Sequence, residues 1–560
     1  MMIIHKKNNW IIAFGHWITI GDGHNCSFLV LFFRSFSSAV PRKTFQLLPH
    51  VSTMQKVILQ TLRTASKSSI RTKSTAAATL NQQWTPNQVN TFPTFQPIDN
   101  TDKSKQIDMS RHNADKWEEN EIAAAIKDNS VFSWGASDPL RDLAVHIDHA
   151  EGVYMYGSDG KKYMDWSAGA VCTNLGHSVP QKITDAVTQQ MEEAAFVYGD
   201  LATHNPRARL CSLLADVAPG DLNGFFFASG GSEANEAAIR IARRMTGRTK
   251  IMSRYRSYHG GSTSALAMTG DPRTWAVDAS TSGFIKMQDP FPFNFEWDSD
   301  PEKASLKCLD ALHDQILYEG PNQIAAIFLE AVTGANGWLQ TPTSFMQGVR
   351  ALCDQYGILL VSDEVMNGFG RTGTMFGFQH FDGVMPDMFT FAKGVTSAYL
   401  PLSGVGMRDH VFDWLRENPM GYGSTYFAHP VCCAAGYETV KHILEHDIVG
   451  NVRKMEPVME RELAHLVDEH PSVKQARVIG LGAGFDLAGK DGNFLMRMDE
   501  MHPGIPLLKN TLKDNGLITL VRGHHVHCTP PLVITEDEIK EGFEILHKSL
   551  YVLDDFIANE

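Results

Sequence analysis

The run GFFFASG (224–230) decides the fold. It is apolar until it stops at glycines. Directly after it Ala234, Ala237, Ala238, Ile241, Ala242 and Met245 recur at helical spacing, with Arg240, Arg243 and Arg244 outside them. A short buried strand therefore hands over to an amphipathic helix. The same pattern returns in AAIFLE (325–330), GILLVSDE (357–364) and MFTFAK (388–393), with a helical stretch at 344–356 between the first two. Continuous apolar strands alternating with helices predict an α/β fold, a mostly parallel sheet covered by helices.

Outward from this block the text changes. EGVYMYGSDGKKYMDW (151–166) alternates apolar and polar positions across Gly157–Gly160, a hairpin pattern, and residues 116–126 read as a helix. Residues 75–110 are polar, carry Pro86, Pro93 and Pro97, and read as a linker. After 436 a long helix precedes short strands and helices. The expected organisation is a leader and linker (1–98), an N-terminal segment contributing to a small domain (99–195), a large domain (196–436) and a C-terminal α+β domain (437–560).

The 560 residues are 43% hydrophobic and 20% charged, an ordinary globular composition. The net charge of −13 argues against a nucleic-acid surface. It also hides an asymmetry. Residues 1–98 hold ten Lys or Arg and one acid, leaving 40 basic and 62 acidic residues of the chain's 50 and 63 for the remainder. From Met54, Val57, Ile58 and Leu62 share a helix face opposite Lys56, Arg63 and Lys67, with Ser and Thr following. That composition suits an organelle-import peptide, read here as mitochondrial (matrix); a tail with no address is the alternative. The run SFLVLFF (27–33) is far short of the ~20 residues that span a membrane, so it reads as a signal-type segment or an upstream extension. The eight cysteines show no CxxC spacing and predict free thiols.

Three strand ends carry chemistry. After 224–228, the glycines and Ser232 open a helix whose N–H groups and dipole favour a phosphate. Asp363 ends an otherwise apolar strand, where a carboxylate needs a cation or several hydrogen bonds. Lys393 ends another, where lost hydration makes an amine nucleophilic. Singly these are a turn, a structural ion pair and a rim lysine. Together they suit pyridoxal 5'-phosphate: phosphate on the helix, ring nitrogen on Asp363, aldehyde on Lys393, with Tyr258 stacked on the ring.

The motifs SGGSEAN (229–235), SYHG (257–260), LLVSDEVMNGFGRTG (359–373), TFAKG (390–394) and GSTYFAHPVCCAA (423–435) resemble, in the same order, those of class III pyridoxal-phosphate aminotransferases. The resemblance spans roughly 134–545. It implies the aspartate-aminotransferase-like fold (fold type I), with a large seven-stranded domain and a smaller one. Lys393 matches the Schiff-base lysine and Asp363 the ring-nitrogen partner. Val365 matches the residue under the ring, Tyr258 the aromatic above it, and Gly231 and Ser232 the phosphate cradle. Thr425 matches a threonine reaching the phosphate from the neighbouring subunit, which implies a homodimer with interface active sites, or a tetramer built from it.

Arg522, in ITLVRGHHVHCTPPL (518–532), lies where many members hold a mobile arginine for the substrate's acid group. Ornithine- and GABA-type members commonly read EPxQGExG after the third strand. Here Thr333 replaces the glutamine and Ala335 the glutamate that parks the arginine. The wording is closer to taurine–pyruvate and ω-amino acid–pyruvate aminotransferases. Trp134, Ala170 and Val171 fall where that branch shapes its substrate pocket, with core packing as the alternative. The expected reaction moves an amino group from an ω-amino acid or amine to a ketoacid such as pyruvate. Rivals are a 4-aminobutyrate-type enzyme using 2-oxoglutarate, a mutase or lyase on the same scaffold, and a catalytically silent scaffold. The glycines of 480–484 lack the acidic residue and βαβ unit of a dinucleotide loop, and GHHVH (523–527) reads as an edge strand without a metal.

Overall fold

The structure, a computed structural model, describes residues 2–6, 9–20, 24–30, 112–113, 117–131, 133, 145–276, 282–291, 296–497 and 500–560. They fall into two units, Met1–His112 and Asn113–Glu560. In the first, Met2–Lys6, Asn9–Ile20 and His24–Val30 pair as an antiparallel sheet. Ser27–Val30, the first part of the apolar run at 27–33, lies in the third of these strands. The amphipathic segment from Met54, the linker at 75–110 and Trp134 lie outside the described residues.

The second unit is built on the sheet that the apolar runs predict. Its strands are β1 (Gly224–Ala228), β2 (Lys250–Arg254), β3 (Phe284–Met287), β4 (Ile324–Leu329), β5 (Leu359–Asp363), β6 (Met388–Phe391) and β7 (Ser403–Met407). They run in the order β1-β7-β6-β5-β4-β2-β3. Only β7 is antiparallel to its neighbours. Every residue of β4, β5, β6 and β7 is buried, as a sheet sandwiched between helices requires. Helix α1 (Gly231–Thr246) follows β1 at once and lays Ala234, Ala237, Ala238, Ile241 and Ala242 on the sheet. It ends at Gly247, whose φ of 67° is the left-handed conformation a helix C-terminus favours.

Residues before and after this block share one small sheet. The hairpin expected at 151–166 forms from Tyr154–Gly157 and Lys162–Asp165, with Ile147–Glu151 beside it. Leu517–Ile518 adds parallel to Lys162–Asp165 from the far end of the chain. A second sheet takes Val473–Ile479, Gly482–Leu487, His525–Cys528 and Val521–Arg522. Its first hairpin turns at Gly480, φ 59°, so the glycines of 480–484 serve an antiparallel turn with no helix behind it. The helix read at 116–126 occupies Glu119–Asn129. No helix among the described residues is long and apolar enough to cross a membrane.

The sheet register sets the site. Asp363 on β5 pairs with Thr390 on β6, so Lys393 emerges three residues beyond the aspartate's own neighbour. Parallel strands bring both ends to one edge, where open α/β sheets hold their ligands.

Candidate active site

Asp363 is 3% exposed. Its Oδ2 accepts from Asn235 Nδ2 at 3.0 Å and lies 2.7 Å from His259 Nδ1. Its Oδ1 accepts from the Val365 N–H at 3.0 Å. Asn235 is fixed in turn: it donates to the His259 carbonyl (2.7 Å), and Thr390 Oγ1 donates to its Oδ1 (3.0 Å). A carboxylate this deep is tolerable because its oxygens have hydrogen-bond partners.

Lys393 follows β6 with φ of 45°, a left-handed conformation that is strained for a residue with a β-carbon. Its amine makes no hydrogen bond or ion pair with any described residue. Burial pushes that amine down to about 8; the Arg522 charge lowers it further, while Cys172, Asp363 and Glu330 work the other way. The amine is thus easily neutralised.

The start of α1 closes the same space. Gly230 caps the helix without a side chain, and a β-carbon there would meet nothing within 4 Å. A β-carbon on Gly231 would lie 3.0 and 3.1 Å from the Val365 methyls and 3.6 Å from Ala392. Ser232 Oγ accepts from the Gly261 N–H at 3.0 Å. Tyr258 donates its N–H to Glu330 Oε1 (3.1 Å), and the Arg273 guanidinium stands 3.6 Å from the centre of its ring. Glu330 also accepts from the Gly334 N–H (3.1 Å), and burial pushes its carboxyl up to about 6. An open helix N-terminus, a held carboxylate and an unpartnered amine could receive the phosphate, ring nitrogen and aldehyde of pyridoxal phosphate, so the residues present fit that group.

Arg522 ends the short strand Val521–Arg522 and turns through Gly523 and His524 into His525–Cys528. Its guanidinium has no hydrogen-bond or ion-pair partner among the described residues; burial and the Arg273 charge lower its pKa, while Asp271 and Tyr258 work the other way. Thr333 is committed elsewhere, its hydroxyl accepting from buried Arg254 at 2.9 Å. Val171 is 2% exposed with φ of 59°, a rare conformation for a β-branched residue, and packs with Val332 and Trp338. Thr425 is exposed in this chain. His524, His525 and Asp486 gather within 4.8 Å, but the Asp486 carboxylate accepts from Arg477 and Gln475 at 2.7 Å and also contacts His525.

The structure thus brings Lys393, Asp363, Gly231, Ser232, Val365, Tyr258 and Arg522 to one edge. It adds groups that the sequence reading did not single out: His259 and Asn235 on the carboxylate, Glu330 on the Tyr258 backbone, Cys172 beside Lys393, and Arg273 over the Tyr258 ring. His259 and Asn235 stood inside quoted motifs, but nothing in their spacing names their target. Arg273 carries no motif at all.

Residues 137–550 match the family model for class III aminotransferases. The chain is 32% identical over 414 residues to putrescine–pyruvate aminotransferase of Pseudomonas aeruginosa, covering 72% of this chain and 90% of that protein. It is 29% identical over 436 residues to the mitochondrial gamma-aminobutyrate transaminase 1 of Oryza sativa subsp. indica, covering 74% and 82%. Among solved structures it resembles the taurine:2-oxoglutarate aminotransferase of Bifidobacterium kashiwanohense in complex with pyridoxal phosphate and glutamate. That pair is 37% identical with a TM-score of 0.75, covering 79% of this chain and all of the other. The strand order, the strand-end carboxylate and amine, and these likenesses agree: the chain belongs to the class III aminotransferases, pyridoxal-phosphate enzymes of fold type I that pass an amino group from an amine to a ketoacid.

Proposed function

We propose that the chain moves the amino group of an ω-amino acid or small amine, such as taurine or β-alanine, onto pyruvate. The buried, unpartnered Lys393 amine beside the held Asp363 carboxylate carries this reading. When bound, pyridoxal phosphate supplies a carbonyl carbon for amines and a protonated ring that draws electrons from the reacting carbon. Lys393 Nζ would hold the cofactor's aldehyde carbon and, with its pKa lowered by burial, would serve as the base that moves a proton at the substrate carbon. Asp363 would keep the ring nitrogen protonated, Tyr258 and Val365 would hold the ring, and Gly231 and Ser232 would hold the phosphate.

Arg522 takes the acid group of the substrate, and Val171 narrows the pocket. Thr425 serves the phosphate of a second copy in a homodimer, or in a tetramer made of such dimers. Its exposure supports this, as do the exposed apolar rings nearby, Phe196 and Tyr426, 5.9 Å apart. The basic leader directs the chain to mitochondria, a reading supported by its composition and by a rice relative whose name places it there.

The test is a screen of taurine, β-alanine, GABA, ornithine and small amines against pyruvate or 2-oxoglutarate, following the cofactor spectrum. The donor should bleach the spectrum and the ketoacid restore it. Restoration by 2-oxoglutarate alone would favour the 4-aminobutyrate-type reading, which the solved neighbour's acceptor supports. Turnover without any ketoacid would favour a mutase or lyase. A spectrum that no amine changes would end the proposal.

A further inference from the structure

We propose that His465 and His547 form a site for a divalent cation of the zinc class, which joins the last helix of the chain to an earlier one. The site lies outside the candidate active site and does not depend on the reaction proposed there. His465 sits near the end of the helix Ile448–Glu469, and His547 in the middle of the helix Glu536–Ala558. Between the two helices His465 Nδ1 and His547 Nε2 are 3.3 Å apart. As a hydrogen bond that is a long one. Two zinc–imidazole bonds of about 2.0–2.1 Å, meeting at a tetrahedral angle, hold their nitrogens about 3.3 Å apart.

The remaining nitrogen of each ring faces an acceptor, as a ligating histidine requires. Fully buried His470 has its Nδ1 2.6 Å from Asp554 Oδ2, and Asp554 Oδ1 accepts from the Ser472 N–H at 3.1 Å. Both carboxylate oxygens accept, so His470 Nδ1 donates. Its Nε2 then carries a lone pair, which accepts from His547 Nδ1 at 2.7 Å. The ring proton of His547 is thereby drawn inward, and the lone pair on its Nε2 faces His465. On the other ring, His465 Nε2 lies 4.0 Å from Glu469 Oε2, one turn further along the helix. The Tyr551 hydroxyl, from the last helix, donates to Glu469 Oε1 at 2.6 Å and holds that carboxylate in place. A proton on His465 Nε2 faces the carboxylate and leaves the Nδ1 lone pair for the cation. Neither Asp554 nor Glu469 forms an ion pair with a lysine or arginine among the described residues, so a divalent cation balances two negative charges. The His465 side chain is 62% exposed, which leaves room for water as the remaining ligands. Imidazole nitrogens suit zinc, whereas Mg²⁺ prefers oxygen. In the other histidine group, Asp486 with His524 and His525, the carboxylate is already taken by Arg477 and Gln475.

The experiment is calorimetric titration of Zn²⁺ alone into the full chain loaded with cofactor, for the unmodified protein, His465→Ala and His547→Gln. Loss of an outer hydrogen-bond partner already weakens metal sites by about 10–100-fold, so loss of either ligand should cost at least about tenfold. His465 is exposed, so His465→Ala should fold and keep any transamination unchanged, and that variant decides the matter if His547→Gln folds poorly. A large excess of Mg²⁺ should leave zinc binding as it was. Co²⁺ in place of zinc should give the intense visible bands of a four-coordinate ion in the unmodified protein, and these should vanish in His465→Ala. Zinc affinity unchanged in His465→Ala, Co²⁺ bands that survive that substitution, or displacement of zinc by Mg²⁺ would each overturn the proposal. None of these readings uses turnover, so they stand or fall apart from the aminotransferase assays.

Discussion

His259 Nδ1 lies 2.7 Å from Asp363 Oδ2, although 104 residues separate them in the chain. The imidazole is fully buried at the end of the loop after β2, and its second nitrogen has no hydrogen-bond partner among the described residues. It therefore acts on one target, orienting the carboxylate that we propose for the cofactor's ring nitrogen. His259→Leu should weaken retention of pyridoxal phosphate by about tenfold, the worth of one hydrogen bond to a charged group. Equilibrium dialysis of the cofactor against both proteins measures it, and His259→Asn, which keeps a donor, should recover part of the loss.

Lys393→Ala should abolish turnover and leave the thermal melting of the apo-protein nearly unchanged, because among the described residues no side chain hydrogen-bonds the amine. Steady-state assay and circular dichroism check the two halves of that statement. Residual turnover above a few parts per thousand would remove the lysine from its proposed role.

The Lys393 amine is held down at about 8 by burial. Only the neutral amine attacks a carbonyl, and the protonated form predominates below that value. Capture of pyridoxal phosphate by the apo-protein should accordingly speed up as pH rises towards about 8 and level off above it. An ordinary lysine would keep gaining up to about 10.4. Stopped-flow mixing across pH 6 to about 10.5 separates the two profiles.

Gly231→Ala would place a methyl 3.0 and 3.1 Å from the Val365 side chain, at the first turn of α1. Val365 must yield by a few tenths of an ångström, toward the space assigned to the cofactor ring. The expected result is a several-fold weaker hold on pyridoxal phosphate with little change in urea midpoint. Fluorescence titration with the cofactor, beside urea melts, distinguishes a local effect from a general one.

Arg371 is fully buried and donates to the carbonyls of Leu481 (2.9 Å) and Pro530 (2.7 Å) and to Asn174 Oδ1 (3.3 Å). It stitches the loop after β5 to two later segments and one earlier one. Burial lowers its guanidinium to about 9, so its charge is retained at neutral pH. Arg371→Leu strands three acceptors and should cost about 2–5 kcal/mol of stability, seen as a lower urea midpoint.

The sequence by itself determined the strands and their alternation with helices, and it singled out the strand-end carboxylate and amine for which a reactive role is proposed. A buried strand must be continuously apolar, so a charged residue at its end stands out, and both Asp363 and Lys393 do. Legibility ended where contacts became non-local. Nothing near Asp363 in the chain says that Asn235 and His259 will hold it, because periodicity reports a residue's own element and not what packs on it. Thr333 read as a substitution near the cofactor until Arg254 took its hydroxyl. The His-rich run 523–527 turned out to be a two-residue turn and a paired strand whose nearest carboxylate is occupied by Arg477. Only the tertiary structure placed Arg273 on the Tyr258 ring within the field of Arg522, since a guanidinium on a long flexible stem is positioned by what surrounds it rather than by its neighbours in sequence.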